Sequence, residues 1–233
     1  MKIKLITFDL DNTVWEEREV LLRATRETNT WIAEHVPAYA SLAAERYWAI
    51  RQELIRDRPE VLYDVSALRR LLVARCFIEI GETAHEAARL SEAAFEVFIH
   101  WRCQVQPYPE AEALLESLSK SYIVASITNG NSDVTRTSLN QYFSFNLNAA
   151  EVRAAKPAPL IFERALELAN VADAACAIHV GDNPRDDIEG AAGIGMKTIW
   201  IDHKRVNELA AATVIVNDLE EVAEAIHTIE TSA

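Results

Sequence analysis

Two aspartates stand two residues apart at the end of an apolar run, in Phe8-Asp9-Leu10-Asp11-Asn12-Thr13. If residues 2–8 form a strand, side chains repeat along it with period two, so Asp9 and Asp11 leave the chain on the same side. Like charges that close repel unless a cation, a proton or a helix terminus offsets them, which marks a metal or acid–base site. Three more polar groups stand at element ends farther along. Thr128-Asn129-Gly130 ends the apolar run that starts at Tyr122, Lys156-Pro157 opens a helical stretch, and Gly181-Asp182 closes the run from Ala175, with Asp187 five residues beyond. In an open parallel sheet, ligands bind beyond the carboxyl ends of the strands, so all of these groups can face one point. Three or four carboxylates there call for a hard cation, and an all-oxygen set without His or Cys favours Mg²⁺ over zinc or copper. Thr128 offers a hydroxyl followed by backbone amides, and Lys156 a point positive charge, both suited to phosphoryl oxygens.

These residues need a scaffold that brings strand ends together. After Gln106-Pro107-Tyr108-Pro109, short apolar runs alternate with amphipathic stretches: residues 122–128, 143–147, 175–182, 196–202 and 213–216 as strands, with 158–169 and 187–194 at helical spacing. Such alternation implies a parallel sheet with right-handed crossovers. Residues 17–103 differ, since helical periodicity dominates and strand patterns are nearly absent. Val20, Leu21, Ala24, Thr28, Trp31, Ile32 and His35 share one helical face, as do Ala87, Ser91, Ala94, Phe95, Phe98 and Ile99. Two further helices are expected over 42–55 and 65–80, with breaks at Pro37 and Pro59, and Trp31, Trp48 and Trp101 are read as the core of this module. The expected fold is α/β: a doubly wound parallel sheet of residues 1–16 and 104–233, interrupted by an all-helical cap domain, 17–103. His179, inside a strand run, is read as a core histidine with its hydrogen bonds satisfied, and Gly195 as a helix stop rather than part of a dinucleotide loop.

Composition narrows the partners. Half of the 233 residues are hydrophobic, and 23 basic against 36 acidic residues give a formal charge of −13 with no basic block. That argues against nucleic acid as a partner, while a local cation can still draw a small anion into a pocket. Cys76, Cys103 and Cys176 are far apart and form no CxxC pair, no apolar run approaches a membrane span, and residues 1–8 are too short for a signal peptide. A soluble cytoplasmic protein is expected, without a membrane partner.

Asp9-Leu10-Asp11-Asn12-Thr13, Thr128, Lys156-Pro157 and Gly181-Asp182 with Asp187 resemble, in order, the four motifs of the haloacid dehalogenase-like (HAD) hydrolase superfamily, over the whole chain and with the helical cap of its subclass I. The resemblance implies that Asp9 is a nucleophile forming an aspartyl-phosphate and that Asp11 is general acid, then base. It implies Mg²⁺ held by the Asp9 carboxylate, the Asp11 backbone carbonyl, Asp182, and Asp187 directly or through water. Thr128, Asn129, Gly130 and Lys156 would bind the phosphoryl group, with Lys156 also orienting Asp9. Trp15 and Arg18, in a flap with Glu16 and Glu17, would contact the leaving group, with Tyr63, Asp64 and Arg69 as further cap candidates. The implied substrate is a small phosphorylated metabolite. Asp9-Leu10-Asp11-Asn12-Thr13-Val14-Trp15, Tyr63-Asp64-Val65 and Ile127-Thr128-Asn129-Gly130-Asn131 are most similar to the flavin mononucleotide phosphatases, which also act on the ribitylaminouracil phosphate of riboflavin synthesis. Nucleoside monophosphates, sugar phosphates and phosphoglycolate are alternatives. Dehalogenases of the superfamily lack the second aspartate, whereas phosphomutases keep both. A signalling receiver domain places its phosphoacceptor after a later strand and has no helical insert, so the motif order disagrees with it.

Overall fold

Leu5-Ile6-Thr7-Phe8 forms β1, and every one of its side chains is buried, as a strand covered on both faces requires. In the computed structural model, which describes residues 2–206, 208–209 and 211–232, β1 lies inside a six-stranded parallel sheet. Its partners are β2 (Ile123–Thr128), β3 (Phe145–Asn148), β4 (Ala177–Gly181), β5 (Lys197–Ile201) and β6 (Val214–Val216), in the order β3-β2-β1-β4-β5-β6. Phe8 pairs with Ser126 on one side and Val180 on the other. The next residues, Asp9, Ile127-Thr128 and Gly181-Asp182, therefore emerge together at one rim. The chain runs from β1 outward to β3 and returns to β4 on the opposite side of β1, which opens the crevice where open α/β sheets bind ligands.

The sheet separates two apolar layers by side-chain alternation. Ile6, Phe8, Val124, Ile178 and Val180 pack with residues of α5 (Ala111–Ser119) and α9 (Val222–Thr231). Leu5, Ala125, Ile127 and Ala177 pack with Ile161, Phe162 and Ala165 of α7 (Pro159–Leu168). Thr7 and His179 are register partners on the α7 side, fully buried, and the His179 ring meets Phe162 edge-on at 5.2 Å. A short helix, α6 (Ala149–Val152), follows β3. The stretch 187–194, expected as one helix, is instead a π-helical segment, Pro184–Glu189, that passes into the short α8 (Gly190–Gly193). The cause is local: the Asn183 carbonyl accepts from both Asp187 and Ile188 N–H, while its side chain caps Arg185 and Asp186. Single π turns of this kind cluster at functional sites.

This α/β unit comprises Met1–Glu17 and Val105–Ala233; Arg18–Gln104 forms a second compact unit. The second unit holds four α-helices among the described residues: α1 (Glu17–His35), α2 (Ala44–Asp57), α3 (Val65–Glu79) and α4 (Ala84–Arg102). Asp64 and Thr83 cap α3 and α4 through Ala67 and Glu86 N–H, the side-chain acceptors that helix N-termini favour. Inside the unit, Ile32, Phe77, Ala87 and Leu90 form one cluster, and Ala24, Phe95, Phe98 and Ile99 another. Trp48 departs from the expected core: it is 58% exposed, because the buried stripe of α2 runs through Tyr47, Ile50 and Leu54. No helix among the described residues is long and apolar enough to cross a membrane.

Candidate active site

Lys156 is the electrostatic centre of the rim. It is 4% exposed, and its ammonium donates to Asp9 Oδ1 at 2.6 Å and to the Ile127 carbonyl at 2.8 Å, with Asp187 Oδ1 also at 2.6 Å. An ammonium has three donors, and these contacts use all of them. Lys156 can thus act on a bound anion through charge and by fixing Asp9, rather than by a hydrogen bond of its own. Burial opposes charge on Lys156, but the Asp187 and Asp9 carboxylates overcome it and hold its pKa above the usual lysine range. Burial is also the largest influence on Asp9 and raises its carboxyl well above the ordinary range; Lys156 acts against that and Asp187 with it. At Asp187 burial is outweighed by Lys156 and His179, which keep the carboxyl below the usual carboxylate range.

Asp187 is fixed from every side by its loop. Asn183 N–H donates to Oδ2 at 2.9 Å and His179 Nε2 lies 3.2 Å from Oδ1. Thr7 Oγ1 is 2.8 Å from His179 Nδ1. Burial pushes the His179 pKa down; since the Asp187 carboxylate can only accept, the neutral ring places its proton on Nε2, facing Asp187, and leaves Nδ1 as the acceptor beside Thr7. Gly181 makes room for this carboxylate, since a Cβ there would stand 2.4 Å from Asp187 Cγ. Asp182, next along the chain, is pushed up to about 6, by burial first and by the Asp187 charge second. Asp9, Asp182 and Asp187 each offer one oxygen, all within 4.8 Å of one another. This oxygen-only set fits a hard divalent cation.

The other expected site residues divide into those the rim gathers and those it does not. Asp9, Asp11, Thr128, Asn129, Gly130, Lys156, Asp182 and Asp187 all line one open cleft of about 320 Å³, as does Asp186. Thr128 Oγ1 accepts from Gly130 N–H at 3.0 Å, which leaves its own proton for a ligand. The Asn129 amide faces the protein: Oδ1 accepts from Lys156 N–H at 2.7 Å and Nδ2 donates to the Lys156 carbonyl at 2.9 Å. It therefore clamps the backbone that carries the ammonium. Trp15 is a correction, since a residue expected at the substrate is fully buried in the α/β core, its Nε1–H donating to Asp11 Oδ1 at 2.8 Å. Arg18 opens the second unit, in the first turn of α1. Ser132, which donates to both Asp11 oxygens at 3.1 and 3.3 Å, had no signal in sequence beyond its place four residues after Thr128.

The sequence profile of the haloacid dehalogenase-like hydrolases matches residues 3–195, which includes every group just placed at the rim. The chain belongs to this family. Among relatives of this HAD-like hydrolase, the 5-amino-6-(5-phospho-D-ribitylamino)uracil phosphatase YigB of Escherichia coli (strain K12) is 32% identical over 200 residues, 86% of this chain and 84% of that one. A phosphoserine phosphatase of Thermus thermophilus is 36% identical over 64% of this chain and 62% of its own. A crystal structure of a 2-haloacid dehalogenase from Pseudomonas syringae pv. Tomato DC3000 superposes with a TM-score of 0.93 at 38% identity, covering 97% of this chain and 99% of that one.

Proposed function

We propose that this HAD-like hydrolase is a Mg²⁺-dependent phosphatase of small phosphate monoesters that works through an aspartyl-phosphate on Asp9. The observation that carries the reading is the asymmetry of the Asp9–Asp11 pair. Asp9 is buried against Lys156 among metal-suited oxygens, whereas Asp11 is hydrogen-bonded away from that cluster. One acid has the setting of a nucleophile and the other that of a proton carrier. Lys156 holds Asp9 Oδ1, so Oδ2 attacks phosphorus while the ester P–O bond breaks and protonated Asp11 gives its proton to the leaving oxygen. Asp11, now a carboxylate, then takes a proton from water, which attacks phosphorus, releases phosphate and restores Asp9. The Thr128 hydroxyl and the Asn129 N–H would meet the phosphoryl oxygens. Mg²⁺, held by Asp9, Asp182 and Asp187 with the Asp11 carbonyl, would shield the attacking carboxylate from the phosphate charge.

The substrate belongs to the same proposal. The likeness to YigB supports a ribityl phosphate of riboflavin synthesis or flavin mononucleotide as the first compounds to test. We place the reaction in the cytoplasm. A 2-haloacid dehalogenase activity is a second reading, favoured by the 38% identical structure. Asp11 weighs against it, because a halide leaves without a proton and gives a general acid nothing to do. The purified protein should be assayed for phosphate release from flavin mononucleotide, the ribitylaminouracil phosphate, nucleoside monophosphates, sugar phosphates and phosphoglycolate, with Mg²⁺ and with EDTA, beside chloride release from 2-chloropropionate. Mg²⁺-dependent phosphate release without chloride supports the phosphatase; chloride release without phosphate overturns it.

A further inference from the structure

The Asp11 carboxylate is gripped by two groups that the steps above do not use. We propose that Trp15 and Ser132 are positioning residues that fix Asp11 for proton transfer to the leaving oxygen, an inference that rests on the phosphatase reading. Two donors converge on Oδ1, the Trp15 indole at 2.8 Å and the Ser132 hydroxyl at 3.1 Å, and the same hydroxyl reaches Oδ2 at 3.3 Å. They come from distant parts of the chain, one four residues after Asp11 and one in the loop beyond β2.

The indole is an unusually rigid donor. Trp15 has no exposed surface and packs in the cluster that holds Phe8, Leu10 and Val14. Its backbone forms bridges with Asp11 on one side and Pro107 on the other, Asn12 N–H donates to its carbonyl at 2.7 Å, and Tyr108 N–H donates to the Val14 carbonyl at 2.9 Å. The two stretches by which the chain leaves and re-enters the α/β unit are thus stitched together at Trp15. An indole N–H can only donate, and once buried it carries a penalty unless an acceptor meets it. The acceptor here is the proton carrier itself. Packing alone would be served by phenylalanine; the nitrogen adds a fixed direction for Asp11. Ser132 is also buried.

The test separates proton transfer from phosphoryl binding. An alkoxide needs a proton to leave and a nitrophenolate does not, and kcat/KM reports steps up to leaving-group departure. Trp15→Phe and Ser132→Ala should each be compared with wild type on an alkyl phosphate such as glycerol phosphate and on p-nitrophenyl phosphate. Positioned general acids contribute about 10²–10⁴-fold, so losing one of these anchors should lower kcat/KM for the alkyl ester by about 10–100-fold. The loss should fall in kcat, and the aryl ester should lose several-fold less. Equal losses on both esters, or none on either, would overturn the positioning role while leaving the phosphatase intact. No phosphate from either ester with wild type would overturn the phosphatase reading and this inference with it. Should Trp15→Phe fail to fold, Ser132→Ala, which removes one hydroxyl, decides by the same ratio.

Discussion

Replacing Lys156 with methionine tests the electrostatic centre most severely. The ammonium stands 2.6 Å from Asp9 and 2.6 Å from Asp187, at 4% exposure. At an effective dielectric of about 20, each pair attracts by about 6 kcal/mol before the cost of burying the ammonium is counted against it. Breaking a buried pair from one side costs about 3–5 kcal/mol, because an uncompensated charge stays behind. Here two carboxylates stay behind, and the Ile127 carbonyl also loses its donor. The expected loss is therefore at the upper end, about 4–5 kcal/mol, or a fall of about 10 °C in Tm for a chain of this size. The assay is thermal unfolding in EDTA and in excess Mg²⁺. Since a divalent cation can offset the stranded carboxylates, Mg²⁺ should raise the Tm of the variant more than that of the wild type. Adding Asp187→Asn should also restore part of the loss, as interacting neighbours are not additive. A variant as stable as wild type in EDTA would refute the assignment of Lys156 as the counter-ion of both acids.

Three more outcomes follow from the same geometry. Asn129→Ala removes both bonds that clamp the Lys156 backbone, and at about 0.5–1.5 kcal/mol each it should cost about 1–3 kcal/mol in urea unfolding, with a larger loss in kcat than in KM; unchanged stability would show that Lys156 is held by other means. Gly181→Ala drives a methyl to 2.4 Å from Asp187 Cγ, so it should destabilise by about 1–3 kcal/mol and weaken Mg²⁺ binding by calorimetry, whereas normal binding would show that Asp187 is not held where metal affinity needs it. Asp182, pushed up from 3.8 to about 6, favours its protonated form in the folded protein, so the stability it contributes is present at low pH and is lost as pH rises through about 4 to 6. At 1.36 kcal/mol per pH unit that is at most about 3 kcal/mol. Because a metal takes ionised carboxylates, the stabilisation by Mg²⁺ should be larger at pH 7 than at pH 5; equal stabilisation would count against Asp182 as a ligand.

Much of the fold and the rim was legible because both depend on local pattern. The alternation of apolar runs and helical stretches implies a parallel sheet, and a parallel sheet places Asp9, Thr128 and Asp182 at one edge whatever the helices do in detail. The pairings inside the site were not legible, since they depend on directions that residue types do not carry. Trp15 follows the aspartate pair, a position that suggests access to a substrate, yet its backbone bridges to Asp11 and Pro107 and the side chain is buried. Asn129 lines the cleft as expected, but residue type alone does not show that its side-chain amide clamps the Lys156 backbone. His179 fits the core histidine expected from its strand position, but its bond to Asp187 requires register knowledge that pairs it with Thr7. The segment after Asn183 has helical spacing, and only its shared carbonyl widens it into a π turn. Trp48 had the spacing of a core residue and lies outside the stripe that α2 buries.

An aspartyl-phosphate on Asp9 that Asp11 resolves can be trapped directly. In Asp11→Asn, p-nitrophenyl phosphate needs no acid to lose its phenolate, while the phosphoenzyme lacks the base that activates water. Mixing this variant with Mg²⁺ and the aryl ester should give a burst of nitrophenolate equal to the enzyme present. Borohydride reduction of the quenched protein should then convert Asp9 alone to homoserine, seen by peptide mass spectrometry. Turnover without a burst, or homoserine at any aspartate other than Asp9, would contradict the account.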